Sequence, residues 1–213
     1  MIKVTQIKNE ETYDWFKKLH YAKRLPMISY AFGLYENQNL VGVISYGVPS
    51  GRSVLESMTF KNYQHSILEL NRLCLSKNKK NYASYLVGNS LKLLPRPNII
   101  ISYADTSQNH TGYIYQATNF IYCGLSEKRT DWIIKGVNKH PRGVKLTEKM
   151  KSDKNNYELV ERARKHRYLY YLGNKKQKKQ FLNNLSYKIL PYPKSENKYY
   201  ETNYIPQTQG ILF

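Results

Sequence analysis

Cysteine is scarce in this chain: Cys74 and Cys123 are its two copies, they lie far apart, and each falls in an apolar run. Neither the paired spacing of a zinc ribbon nor a disulfide framework is present, which fits a reducing compartment. No window approaches the roughly 18 consecutive apolar residues of a membrane span, and the N-terminal MIKVTQIKNEE lacks the apolar stretch of a signal peptide. The expectation is a soluble, cytoplasmic protein. Glycine is missing from LSKNKKNYAS, so there is no glycine-containing phosphate loop at that strand-to-helix junction. A glycine-rich methyl-donor loop after the first strand and an aromatic-ended Pro-Pro motif are also absent, which argues against a methyltransferase. Acidic residues are few as well, with 15 Asp and Glu against 34 Lys and Arg.

That imbalance gives a net charge of +19 and a pI near 9.7, more than solubility requires, and it points to a polyanion partner. The charge is uneven. Between Lys139 and Lys179 stand fourteen basic and four acidic residues, so +10 of the +19 sits there. A lysine-rich background composition is the plain alternative, because Asn and Tyr are abundant too. At 213 residues, 41% apolar and 14% aromatic, the chain is long enough for one good core.

Hydrophobic periodicity orders the elements. Residues 2–7 read as a strand and 10–20 as an amphipathic helix with Tyr13, Phe16 and Leu19 on one face. SYAFGLYE and NLVGVISYG form a hairpin around Asn37–Asn39, and 50–66 is ambiguous. ELNRLCLS is a strand, followed by a helix from Tyr82 to Leu94 that Pro95 and Pro97 end. NIIISYA, FIYCGL and TDWIIKGV are strands of one continuous sheet, with a helix over 109–118 between the first two. Beyond residue 139 a basic helix near 157–165, an aromatic strand HRYLYYLG and a basic helix KKQKKQFLNNL are expected. The domain division is 1–138 for the core, 139–190 for a basic extension packed on it, and 191–213 for an extended or mobile tail.

Alternating strands and helices place chemistry at the carboxyl ends of the strands. Asp105 ends NIIISYAD, where its carboxylate accepts a proton or an amine, or else caps the segment that follows. Arg72 interrupts a strand suited to burial. It needs a carboxylate such as Glu69 or Asp105, or an anionic ligand. Ser84 lies in the first turn of a helix, where a hydroxyl meets free N–H groups, although it or Asn81 also suits a cap. Tyr46 ends a hairpin strand, and one tyrosine of 21 is more often core or rim. His20 and Tyr21 end the first helix, where a histidine also suits the helix dipole. His110 starts the helix at 109–118, Tyr115 and Gln116 lie within it and Asn119 follows it; amide side chains can read adenine edges. Arg162, Arg164, Lys165, Arg167, Lys175, Lys176, Lys178 and Lys179 interleave with Tyr168, Tyr170 and Tyr171. That pattern suits phosphate contact with base stacking, or else a solvated basic face.

The element order resembles the GNAT acyltransferase fold, which sets the expected fold class as α/β, a GNAT-like mixed central sheet flanked by helices with a basic C-terminal extension. ELNRLCL, KNYASYL, ISYAD and HTGYIYQATNFIYCG are similar to the Mom family of phage DNA-modification proteins, over roughly residues 15–190, and HRYLYYLGNKKQKKQFL resembles that family's basic C-terminal segment. The resemblance implies a phage-encoded enzyme acting in the infected host's cytoplasm, which adds a carbamoylmethyl group to adenine N6 and protects DNA from restriction. It implies catalytic roles for Asp105, Arg72 and Tyr46, beside the donor-binding or catalytic role that its helix-start position suggests for Ser84, and an iron site at His20 and Tyr21. Double-stranded DNA is the implied substrate, held by the basic segment with the target base opened or flipped. The donor is either acetyl-CoA, against which the glycine-free loop counts, or a glycine-derived molecule such as glycyl-tRNA. An ordinary GNAT acetyltransferase acting on a small amine, protein or RNA, and a non-catalytic DNA-binding protein, are the alternatives.

Overall fold

The computed structural model describes residues 1–49, 51, 54, 67–137 and 147–194. Its frame is a seven-stranded sheet in the order β1-β2-β3-β4-β5-β9-β6. Strands β1 (Ile2–Ile7), β2 (Tyr30–Glu36), β3 (Asn39–Gly47) and β4 (Ile67–Leu75) form an antiparallel meander. Helix α1 (Tyr82–Leu93) then crosses over to β5 (Asn98–Asp105), which runs parallel to β4. Short helix α2 (Tyr113–Ala117) leads into β6 (Ile121–Leu125), and β9 (Lys165–Leu172) lies antiparallel between β5 and β6.

Both sheet faces are covered, which explains the nearly continuous apolar reading of the central strands. On one face Leu68, Leu70, Ile100, Ala104 and Tyr168 pack with Leu86, Val87 and Leu91 of α1. On the other, Ile67, Ile99, Ile101, Leu169 and Tyr171 pack with Phe181 of α4 (Lys175–Asn183), and Val43 and Cys74 pack with Phe16. Among the described residues no helix is long and apolar enough to cross a membrane.

The parallel pairing of β4 and β5 is short. It joins Ile67–Leu70 to Ile99–Ser102 and stops, after which β4 continues beside β3 to Leu75 and β5 beside β9 to Asp105. A bulge starts the divergence: Ser45 pairs with Arg72 and Tyr46 with Leu70, so Asn71 has no cross-strand partner. Its side chain is held instead by Ser45 Oγ at 2.6 Å and the Met27 carbonyl at 2.8 Å. The two strands thus open a cleft between Arg72 and Asp105.

Several elements differ from the sequence expectation. The helix over 10–20 is two short pieces, a 3-10 turn at Asn9–Thr12 and a π-helical turn at Trp15–Leu19, closed by His20 N–H to the Trp15 carbonyl at 3.0 Å. The wider turn breaks the i, i+3 face, so Phe16 is fully buried while Leu19 is 59% exposed. The helix over 109–118 shrinks to α2 because Asn109 and Gly112 both take left-handed backbone, φ 53° and 83°. TDWIIKGV leaves the main sheet: β7 (Arg129–Ile134) pairs with β8 (Tyr157–Arg162) in a separate two-stranded ribbon, where a basic helix was expected. The alternation in YELVER and the Arg162–Asp131 ion pair across the ribbon account for the strand. α3 (Glu148–Ser152) packs beside β8.

Within the stretch 139–190, expected as a basic extension packed on the core, β9 is an interior strand of the main sheet. Tyr168, Leu169, Tyr171 and Leu172 are all buried, and the two sheet faces share them. The segment after α4 runs beside β6, with Leu190 N–H on the Tyr122 carbonyl at 3.0 Å and Tyr192 Oη on the Phe120 carbonyl at 2.6 Å. Of the expected tail, residues 195–213 lie outside the described residues, as does the ambiguous stretch 50–66 apart from 51 and 54.

Candidate active site

The cleft begins where Ser102 Oγ donates to the Leu70 carbonyl at 3.0 Å, the last bridge before the strands diverge. Tyr115 of α2 reaches this point, hydrogen-bonded to Ser102, and burial pushes its phenol pKa up. Packing against Phe120 (ring centroids 5.4 Å apart) and Tyr168 (5.3 Å) fixes its ring. Gly112 makes this possible, because a Cβ there would lie 2.3 Å from the Tyr168 ring and the backbone φ is +83°.

Asp105 sits at the carboxyl end of β5 with a side chain 13% exposed. Its Oδ1 accepts Ser107 N–H at 3.0 Å and Ser107 Oγ–H at 2.7 Å, and its Oδ2 pairs with Lys165 Nζ at 3.1 Å. The cap and the ion pair coexist, as a carboxylate with about four acceptor positions allows, and these three contacts among the described residues leave one position for a further donor. Arg72 of β4 shares with Asp105 the neighbour Tyr21, whose phenol feels both charges. Arg72 Nη1 donates to the Asn71 carbonyl at 2.6 Å, while Nε is buried with no partner among the described residues. Burial lowers the guanidinium pKa, and the charge of Arg24 lowers it further.

His20 and Tyr21 close the cleft from the end of the π-helical turn. His20 is 9% exposed, and its Nδ1 accepts Ala22 N–H at 3.0 Å. Burial first, then the charge of Arg72, pushes its pKa down to about 3, so the imidazole is neutral. Tyr21 stacks on His20 at 4.4 Å and meets His110 edge-on at 6.4 Å. Burial first, then the Asp105 charge, raises the Tyr21 phenol to about 12. Burial also lowers the pKa of His110, with Asp105 opposing; its backbone N–H donates to the Asp105 carbonyl at 3.2 Å.

Six of the residues singled out in the sequence therefore meet here: Arg72, Asp105, His20, Tyr21, His110 and Tyr115. Four do not. Tyr46 is fully buried, with its hydroxyl 2.7 Å from Ser90 Oγ of α1. Ser84 stands at the head of α1 and donates back to the Asn81 carbonyl at 3.1 Å. Gln116 is tied to Tyr168 Oη at 3.1 Å, and Asn119 is an exposed turn residue at φ 62°. The implied iron site does not fit these side chains. Among the described residues no three His, Cys, Asp or Glu groups are placed to hold a metal, His20 Nδ1 is taken, and Tyr21 is held as a phenol where a ligand would be phenolate.

The basic residues divide into two sets. Arg162 pairs with Asp131, Arg164 Nε donates to the Ser126 carbonyl at 2.6 Å, Lys165 holds Asp105, and Arg167 lies 4.0 Å over the Tyr187 ring. These four are engaged within the protein. Lys175, Lys176, Lys178 and Lys179 are exposed on α4. Sequence reasoning placed Lys165 in the nucleic-acid face and overlooked it as the partner of Asp105. It also passed over Ser102, whose signal was a lone hydroxyl inside the buried run NIIISYA.

Solved structures of similar shape include a GNAT-family acetyltransferase of Bacillus cereus (13% identity, 80% of this chain and 97% of that one, TM-score 0.43) and a Bacillus subtilis acetyltransferase in complex with CoA (15%, 80% and 97%, TM-score 0.45). In sequence, the chain is 30% identical over 192 residues to the methylcarbamoylase Mom of Escherichia phage Mu, covering 82% of this chain and 76% of that protein. The profile of the Mom protein family matches residues 1–194, and with that relative it shows that the chain belongs to the Mom protein family.

Proposed function

We propose that the cleft transfers a carbamoylmethyl group to N6 of adenine in duplex DNA, a modification that shields phage DNA from restriction. The observation that carries this reading is the open acceptor position on Asp105, in a family that includes a methylcarbamoylase. An adenine amine donating to that position is held at a carboxylate able to take the N6 proton as the new N6–C bond forms and the bond between the transferred carbon and the donor's carrier breaks, its electron pair leaving with the carrier. Arg72 supplies the cation opposite. Its unpartnered Nε suits an oxygen of the donor on which negative charge develops. The neutral imidazoles of His20 and His110 and the protonated phenols of Tyr21 and Tyr115 line the space between them and add no competing charge.

The roles of Tyr46 and Ser84 are different in this reading. Tyr46 braces α1 against the sheet. Ser84 lies outside the cleft, at the head of α1 beside the loop 76–81 that lacks glycine. Asn81 takes the left-handed conformation there (φ 67°) that glycine commonly supplies. Lys77 and Lys80 are exposed in the same loop. The loop therefore suits a phosphate-bearing donor, which both acetyl-CoA and glycyl-tRNA are. The transferred group has the atoms of a glycine amide, all of which glycyl-tRNA carries, whereas acetyl-CoA would need a separate amine source and an oxidant; feeding cells labelled glycine or labelled acetate distinguishes the two donors.

The test is mass spectrometry of nucleosides from plasmid DNA of cells expressing the protein. The expected result is an adenosine species heavier by about 57 Da. Unmodified DNA in cells holding abundant folded protein and both donor classes would overturn the reading.

A further inference from the structure

Helix α4 is built against its own stability. Lys175 and Lys176 occupy its first turn, where the helix dipole disfavours cations. Lys175–Lys178, Lys175–Lys179 and Lys176–Lys179 are like-charge pairs at i, i+3 and i, i+4. No acidic residue stands in the first turn, and among the described residues none of the four lysines has an ion pair. The helix is nevertheless firmly placed. Asn174 and Gln177 cap it reciprocally, at 2.8 and 3.0 Å, and Phe181 is buried, stacked 5.2 Å from Tyr171. Four unpaired charges on an anchored helix fit a phosphate polymer, which would relieve all three repulsions at once.

The position of α4 specifies what that polymer does. β9 begins at Lys165, the partner of Asp105, and ends at Leu172, opposite Asn98. Its alternate residues Lys165, Arg167, Leu169 and Tyr171 share one face, the face α4 covers. The head of α4 thus lies a strand's length from Asp105, about 23 Å at 3.3 Å per residue. That is about seven base pairs of duplex at 3.4 Å each.

We propose that α4 is a phosphate clamp: Lys175, Lys176, Lys178 and Lys179 bind the backbone of duplex DNA about seven base pairs from the adenine in the cleft, adding affinity and taking no part in the chemistry. The proposal rests on the adenine-modifying reading for the identity of the polymer. It divides labour along β9, with Lys165 committed to Asp105 at one end and the α4 lysines to DNA at the other.

The experiment measures the salt dependence of binding to a 24-base-pair duplex with a central adenine and to an 8-base-pair duplex. Wild type is compared with K175Q/K176Q/K178Q/K179Q and with K175Q/K176Q. With about 0.9 counterion released per phosphate contact, the slope of log K against log salt should fall by about 3–4 in the quadruple variant and by about half that in the double one. These falls are expected on the long duplex, with little change on the short one. The apparent KM for the long duplex should rise in step with the lost affinity, and the variants should melt no lower because the repulsions are gone. An unchanged slope on the long duplex overturns the clamp, as does an equal fall on both duplexes. Wild-type binding without any adenine modification would instead count against the proposed function and leave the slope comparison intact, so the two failures are separable.

Discussion

Replacing Tyr46 with Phe separates a structural tyrosine from a catalytic one. Tyr46 is fully buried, its hydroxyl lies 2.7 Å from Ser90 Oγ, and Ser90 Oγ lies 3.0 Å from the Val87 carbonyl. Serine has one hydroxyl hydrogen, and the Val87 carbonyl takes it, so Tyr46 is the donor to Ser90. Deleting the phenol oxygen removes one buried hydrogen bond and leaves the Ser90 hydrogen satisfied. The cost is therefore about 1 kcal/mol, without the larger penalty of an orphaned donor. For a chain of this length that lowers Tm by about 2–4 °C. The assay is thermal unfolding together with the modified-adenine content of plasmid DNA. The expected result is a lowered Tm with modification within about twofold of wild type. An unchanged Tm with modification lost would refute the argument and return Tyr46 to the chemistry.

Arg72→Met should abolish modification while leaving stability unchanged or raised, because it replaces a half-buried guanidinium whose Nε has no partner among the described residues by an apolar chain of similar length. A denaturant titration that shows several kcal/mol of destabilisation would contradict it. His20 predicts acid sensitivity. Its imidazole titrates at about 3 in the folded protein and at 6.5 when exposed, so below pH 6.5 the unfolded chain binds a proton that the folded one refuses. The stability it contributes is complete above pH 6.5 and declines as pH falls toward 3, by at most about 1.4 kcal/mol per pH unit. His110 and His166 are shifted in the same direction and add to the decline. The urea midpoint should fall between pH 6.5 and 4, less steeply in His20→Gln; a flat wild-type profile would contradict this.

The strands were legible wherever their apolar residues alternated or ran continuously, and NIIISYAD gave both β5 and the placing of Asp105 at its end. Arg72 was legible for a related reason, as a charge inside a strand otherwise fit for burial. Long-range pairing was not. YELVER alternates as a strand but sits among basic residues, and only its register with β7 decides between strand and helix. HRYLYYLG reads as a strand from sequence, yet its insertion between β5 and β6 depends on partners more than forty residues away. The site followed the same division. Asp105 and Arg72 belong to strands and could be placed from local pattern. The stacking of Tyr21 on His20 and the capture of Tyr46 by Ser90 arise from helix packing, which no local pattern encodes. Lys165 was read by its charge, and its pairing with Asp105 follows from being directly opposite on β9.

The most direct measurement is the nucleoside mass spectrum of plasmid DNA from cells expressing Asp105→Asn beside wild type. Asparagine keeps the size of the side chain and an oxygen for the Ser107 bonds but cannot take up the proton of the adenine amine. The account predicts a folded, DNA-binding variant whose adenine is unmodified while wild type yields the species heavier by about 57 Da. Modification by the variant at the wild-type level would contradict the assignment of Asp105 to the chemistry.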